Sequence, residues 1–129
     1  MTTTSMTIVA LPILPGKKEK WLKMMAWINT EPLKSQIDAI WLKAGLRRRI
    51  LLQESSIGDF VIWCQTGQHD LETLYAIYSE VIALMNQQSD RQETVGNFER
   101  DVHGTESSLQ INPPLVVYDS EQSATDRLQ

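Results

Sequence analysis

Cysteine is nearly absent from this 129-residue chain, with Cys64 the single example. No disulfide can close within the chain, so its stability rests on burial and a reducing compartment is the default setting. Long apolar runs are missing too: nothing approaches the roughly 20 residues that a membrane-crossing helix requires. Met1 to Thr7 offers no basic stretch followed by an apolar one, which argues against a secretory leader. Together these absences predict a cytoplasmic protein. Excess positive charge is also lacking. Lys and Arg number 12 against 16 Asp and Glu, a net charge of −4, so the overall field opposes nonspecific binding to nucleic acid or anionic lipid. The 2 histidines and the cysteine show no metal-ligand spacing, and Gly16 and its neighbours lack the spacing of a phosphate loop. Neither a metal nor a cofactor is expected.

What the chain does have is apolar patterning of two periods. Met6 to Ile13 is a short β-branched run ending at Leu14-Pro15-Gly16 and reads as a strand. Lys17 to Ala44 is helical, with two apolar stripes: Trp21, Met24, Met25 and Ile28, then Leu33, Ile37, Ile40, Trp41 and Ala44. The stripes are out of phase and Pro32 lies between them, so the spacing predicts a kink or two helices breaking near Asn29 and Thr30. Thr30 is the expected N-cap of the second piece and Gly45 its C-terminal cap. Leu46 to Ser55 and Phe60 to Thr66 are strands joined by the turn Ser56-Ile57-Gly58-Asp59. Asp70 caps a second amphipathic helix whose face carries Leu71, Leu74, Tyr75, Tyr78, Val81, Ile82 and Met85.

Beyond that helix the chain turns polar. A single domain is expected over residues 1–118: a core at about 6–88, a polar connection at 89–112 with helical turns around Asn97 to Val102, and a last strand at about 115–118. Residues 119–129 read as a flexible tail. The predicted fold is α+β: strand, helix, strand, strand, helix, strand, with four antiparallel strands and helices on one face.

If the hairpin loop closes Ser55 against Phe60, the two strands sort their side chains into two sets. Leu51, Phe60, Ile62 and Cys64 share one side. Ile50, Leu52, Val61 and Trp63 share the other with Arg48, Glu54 and Gln65. The nearly pure apolar set is expected under the helices and the mixed set on the open face. In the first strand, Val9, Leu11 and Ile13 suit the helix side, and Ile8 and Ala10 the open side. Both faces are therefore greasy, and a second copy of the chain is the expected cover for the open one.

The element order is ferredoxin-like, and details resemble the dimeric α+β barrel superfamily. The segment Val9 to Trp21 (VALPILPGKKEKW) and the hairpin end Gly58 to Glu72 (GDFVIWCQTGQHDLE) look like those of an uncharacterised small-protein family within it. The resemblance covers about Met6 to Met85. It implies two sheets packed face to face in a homodimer. It does not choose a reaction, because relatives in that superfamily range from cofactor-independent monooxygenases and isomerases to plain ligand binders.

The best ligand-pocket constellation is Trp63 beside Arg48 and Gln65, a broad apolar surface with nearby donors, with His69 next to the capping Asp70 as a further candidate. A sheet tryptophan more often packs than recognises, and a histidine in a polar loop, as His103 is expected to be, is more often solvated. Of the run Arg47, Arg48 and Arg49, only Arg47 and Arg49 can point the same way, toward an anion or toward the dimer rim. Cys64 reads as a buried, inert thiol. The expectation is a homodimeric small-molecule-binding protein, with metal-independent catalysis open. The alternative is a non-enzymatic regulatory or interaction module. RNA recognition needs exposed aromatics on both central strands, which the first strand lacks.

Overall fold

A computed structural model describes residues 4–88 and 93–104, with Ser120 as an isolated position. Three strands and four helices follow in order: β1 (Thr4–Ile13), α1 (Lys18–Ile28), α2 (Leu33–Lys43), β2 (Arg47–Ser55), β3 (Gly58–His69), α3 (Leu71–Gln88) and α4 (Val95–His103). Among the described residues the sheet is antiparallel with order β1-β3-β2. This is an α+β structure compatible with a ferredoxin-like arrangement. Three strands are described where four were expected, because the segment expected as the last strand, Leu115 to Tyr118, lies outside the described residues, as does the tail.

The helical region divides into two helices, as the out-of-phase stripes imply. The capping differs from expectation. Pro32 occupies the N-cap position of α2 without a side-chain bond, while the Thr30 hydroxyl donates back to the Trp27 carbonyl. The Glu31 carboxylate instead accepts from the Ser35 amide and hydroxyl, satisfying a first-turn donor. Gly45 (φ +72°) closes the helix with the Leu46 amide reaching back to the Trp41 carbonyl, the Schellman arrangement that a left-handed residue permits. At α3, Asp70 accepts from the Thr73 amide at 2.7 Å, and that bond lowers its carboxyl pKa. Leu74, Ile77, Tyr78, Val81 and Met85 are the buried stripe of α3. Ile77 therefore joins the expected set, and Leu71, Tyr75 and Ile82 are only half-buried.

The hairpin is tighter than expected. Ser55 pairs with Gly58 across a two-residue loop, and Gly58 takes φ +137°. The register thus moves by two residues from the expected one, which preserves which residues share a face. Leu51 pairs with Ile62 and Ile50 with Trp63.

The side facing the helices, however, is the opposite of the one expected. Val61, Trp63 and Gln65 are buried beneath the helices together with Leu11 and Ile13 of β1. Met6, Ile8 and Leu51 lie on the other side and are 47%, 47% and 41% exposed. Cross-strand pairing fixes this: Val9 and Leu11 pair with Trp63 and Val61, whereas Ile8 and Ala10 pair with Cys64 and Ile62. Val9, Leu11 and Ile13 were placed correctly, and β3 had to follow them.

One glycine is irreplaceable on steric grounds. Gly67 (φ +121°) sits so close to the α2–β2 connection that a Cβ would lie 2.5 Å from the Gly45 carbonyl oxygen. The turn before β2 and the end of β3 can meet only without a side chain there.

Candidate functional site

The helix-facing row of β2 and β3 carries two polar residues opposite each other, Arg48 and Gln65. Strand alternation turns Arg48 inward while Arg47 and Arg49 remain exposed. Three aromatic rings receive its guanidinium, whose central carbon lies 4.8 Å from the Tyr78 ring, 5.0 Å from Trp63 and 5.3 Å from Trp41. These are cation–π distances. Trp41 and Trp63 both flank Tyr78, the first edge-on at 5.6 Å and the second tilted at 5.9 Å. Helix α2 supplies Trp41, β3 supplies Trp63 and α3 supplies Tyr78, so the box exists only when all three elements dock.

Among the described residues no carboxylate comes within ion-pairing distance of Arg48. Its Nε, the Trp41 Nε1 and the Gln65 Oε1 are shut off from solvent without a hydrogen-bond partner. Burial pulls the Arg48 pKa down, and the fields of Tyr78 and Glu99 partly offset this. Arginine still keeps its proton at physiological pH. Burial raises the Tyr78 pKa, against the opposing pull of Arg48, so the phenol is neutral. Gln65 Nε2 donates to the Tyr78 hydroxyl oxygen, which leaves the hydroxyl hydrogen available to an acceptor.

A cavity of about 90 Å³ opens against this box, lined by Trp41, Arg48, Trp63, Tyr78, Glu99 and His103 among others. Beside it runs a wider cleft of about 1050 Å³ between α1 and α2, over β2. Arg48 lines both. Trp41 and Ile50 also line both, so the inner space that holds the aromatic box adjoins the cleft.

The sequence-based site is assembled in part. Arg48, Trp63 and Gln65 do converge. His69 does not join them: it is buried near the end of β3, with Nδ1 donating to the Gly67 carbonyl at 2.6 Å and Nε2 accepting from the Thr7 hydroxyl at 2.8 Å. A carbonyl can only accept, which assigns the proton to Nδ1. His69 thereby ties β1 to the end of β3, and it does not line the cavity. Cys64 is half-buried and lies on the opposite face of the sheet, in register with Ile8.

Glu99, Trp41 and Tyr78 escaped the sequence reading as site residues, and His103 was weighed there and set aside as a solvated loop histidine. His103 and Glu99 belong to α4, within the segment taken as a polar connection. The signal was present: Thr94 caps α4 by accepting from the Asn97 amide, Gly104 closes it at φ +77°, and Val95, Phe98 and Val102 recur at helical spacing between. Lys17 and Lys20 fasten α4 to α1 through Asp101, at 3.0 and 2.7 Å. His103 Nδ1 donates to the Pro12 carbonyl at 2.8 Å, so Nε2 carries the lone pair. Burial lowers its pKa, with the Pro12 bond acting in the opposite direction, and the ring is neutral at pH 7. It meets Trp63 edge-on at 6.4 Å.

Chemically, the arrangement offers donors at Arg48, Trp41 and Tyr78 and a proton acceptor at His103, all on apolar walls. Among the described residues no group of three or more His, Cys, Asp or Glu could hold a metal ion. Among the described residues no helix is long and apolar enough to cross a membrane. Compared with protein-family models, curated proteins and solved structures, the chain matches none of them.

Proposed function

We propose that this protein binds a small molecule beneath its helices, with Arg48 as the anchor, in a homodimer of ferredoxin-like subunits. The observation that carries the reading is the group of solvent-excluded polar atoms left unmatched at Arg48, Trp41 and Gln65. An unsatisfied buried polar group costs about 1–3 kcal/mol, more when charged. A guest bringing oxygen and N–H partners would offset that cost, and the adjoining cavity and cleft give it room. A module that only contacts other proteins has no need of such an interior. His103, neutral with Nε2 unprotonated, adds the capacity to accept a proton from the guest, which is where metal-independent catalysis would begin.

The dimer is supported by the open sheet face. Met6, Ile8 and Leu51 are exposed there around half-buried Phe60, Ile62 and Cys64, and a self-complementary apolar patch suits two-fold pairing. Two measurements test the reading. Native mass spectrometry of the gently purified protein should show a retained small molecule, lost in Arg48→Met. Light scattering should give twice the mass of one chain, falling to one chain in Ile8→Lys/Leu51→Lys. A protein that retains nothing and offers no binding to a small-molecule library would remove the first claim, and a wild-type monomer at high concentration the second.

A further inference from the structure

Arg48 is shared by two spaces of different character. The inner cavity has a carboxylate, Glu99, in its lining as well as Arg48. The outer cleft is not lined by Glu99. Its charged residues are Lys34, Asp38, Arg47 and Arg48, and Lys34 is engaged by Asp38 at 2.5 Å. Arg47 precedes Arg48 on the strand and points to the other face, so Arg48 is left as the excess positive charge of the cleft, with no ion pair among the described residues. The chain as a whole carries net charge −4, so the sign inside the cleft is opposite to that of the whole. A narrow site of one sign with low-dielectric walls concentrates ligands of the opposite charge.

The remaining walls are apolar. Met25 and Ile28 of α1 face Ile37 of α2 over Ile50 and Leu52 of β2. At the lips stand Leu22, 44% exposed, and Leu42, 78% exposed. Large aliphatic side chains held in water at the rim of a groove extend its apolar surface outward. Such a groove suits a body that is apolar along its length, with one charge at its inner end.

We infer that the ligand is an amphipathic monoanion, an apolar chain or ring system ending in a carboxylate, whose head meets Arg48 and whose body lies along the α1–α2 cleft. This rests on the small-molecule reading above and narrows it. The carboxylate accepts from Arg48 Nε and from Trp41 Nε1, the two buried donors without partners. The body covers Ile50 and Leu52, and the charge stays on the cleft side of Arg48, away from Glu99.

The test compares decanoate with 1-decanol, each below its aggregation concentration, by tryptophan fluorescence and calorimetry on the full chain. Decanoate should bind at least tenfold more tightly, since a charge-assisted hydrogen bond carries roughly that discrimination. Shortening decanoate to octanoate and hexanoate should weaken binding about two- to fourfold per methylene. Arg48→Met should erase the preference for decanoate while keeping decanol binding. Leu42→Glu, at an exposed position that does not endanger folding, should weaken decanoate several-fold and decanol less, since both lose apolar wall and only the anion meets the new like charge. Equal binding of acid and alcohol would overturn the anionic head, and binding of acetate as strong as decanoate would overturn the apolar body. If neither decanoate nor decanol binds while another molecule co-purifies, this inference falls and the small-molecule reading stands. If nothing binds and nothing co-purifies, both fall.

Discussion

Alternate residues of β3 meet opposite fates. Val61, Trp63 and Gln65 point under the helices and are buried, while Phe60, Ile62 and Cys64 point to the open side and are half-buried. The apolar content of the two rows is similar, so hydrophobicity does not distinguish them. What distinguishes them is polar company. The covered side holds Arg48 and Gln65 at its centre and keeps them from solvent, and the open side holds none but rim residues such as Arg49. Among the described residues, the side that looks more like a protein core is the more exposed one. A surface rich in aliphatic groups and free of buried charge is suited to packing against another surface. A covered face with unmatched donors is suited to receiving a guest.

The sharpest way to break this comparison is to truncate one residue from each side. Leu74 of α3 is fully buried against the covered face, and Leu74→Ala should cost about 3–5 kcal/mol in denaturant unfolding, by lost transfer plus a residual cavity. Leu51→Ala, at protein concentrations low enough to hold a single copy, should cost less than about 1 kcal/mol. Equal losses would mean that the open face is roofed within one chain. Next in size is Gly67→Ala. A Cβ 2.5 Å from the Gly45 carbonyl, added at a positive φ, forces the α2–β2 connection away from β3, and a loss of at least about 2 kcal/mol is expected. Because Arg48 follows that connection by a few residues, the same variant should also disturb the aromatic box, seen as altered near-UV circular dichroism.

These two faces also explain what could and could not be read from sequence. The residues sharing a face were legible, because a period of 2 survives a register error of two: closing the loop at Ser55–Phe60 instead of Ser55–Gly58 left Leu51 with Ile62 and Leu52 with Val61 on their proper sides. Which face turned inward was not legible. Burial preference, applied residue by residue, counts Arg48, Glu54 and Gln65 against the covered side. Glu54 in fact sits at the exposed hairpin end, bonded to Lys18, and Arg48 is inside because three rings, of Trp41, Trp63 and Tyr78, enclose its guanidinium. The constellation of Trp63, Arg48 and Gln65 was found because aromatic and donor residues share one row. Tyr78 and Trp41 were seen only as helix stripe, since nothing in a stripe reveals that two of its rings enclose a cation. His103 was set aside for a different reason: the helical turns read around Asn97 to Val102 stop just short of it, and nine residues of α4 in a polar neighbourhood give too short a period to place it on a buried face, although its cap and closing glycine were both in place.

Arg48 supplies a prediction of opposite sign. A buried guanidinium without a carboxylate partner is a cost that the empty protein carries. Arg48→Met keeps the apolar stem against Trp41, Trp63 and Tyr78 and removes that cost. The variant should be as stable as wild type, or more stable by about 1–2 kcal/mol, in the ligand-free state, while it loses the retained molecule. Stability exchanged for binding in this way is the mark of a functional position. A loss of more than about 2 kcal/mol would show instead that the three rings depend on the cation, and the box would then be architecture.

The smallest effect belongs to His103, and its sign follows from burial. The native ring has a pKa below the ordinary histidine value of about 6.5, chiefly through desolvation, whereas the unfolded chain restores the ordinary value. As pH falls through 6.5, the unfolded state takes up a proton that the native state refuses. Stability therefore drops with falling pH, from about 6.5 down to the native pKa, at a limiting slope of about 1.4 kcal/mol per pH unit. Above pH 7 the contribution is complete and flat. His103→Gln can still donate to the Pro12 carbonyl and has nothing to titrate, so it should remove that part of the slope, read as the difference between wild-type and variant melting curves from pH 7 to 5. Asp70 and Asp101, held low by Thr73 and by Lys20 and Lys17, lose their contributions only at more acidic pH and do not enter the difference. The same substitution separates the two sides of the sheet once more. It should alter the pH dependence of ligand retention in the cavity that His103 lines, and leave the pH dependence of self-association, which belongs to the open face, as it was.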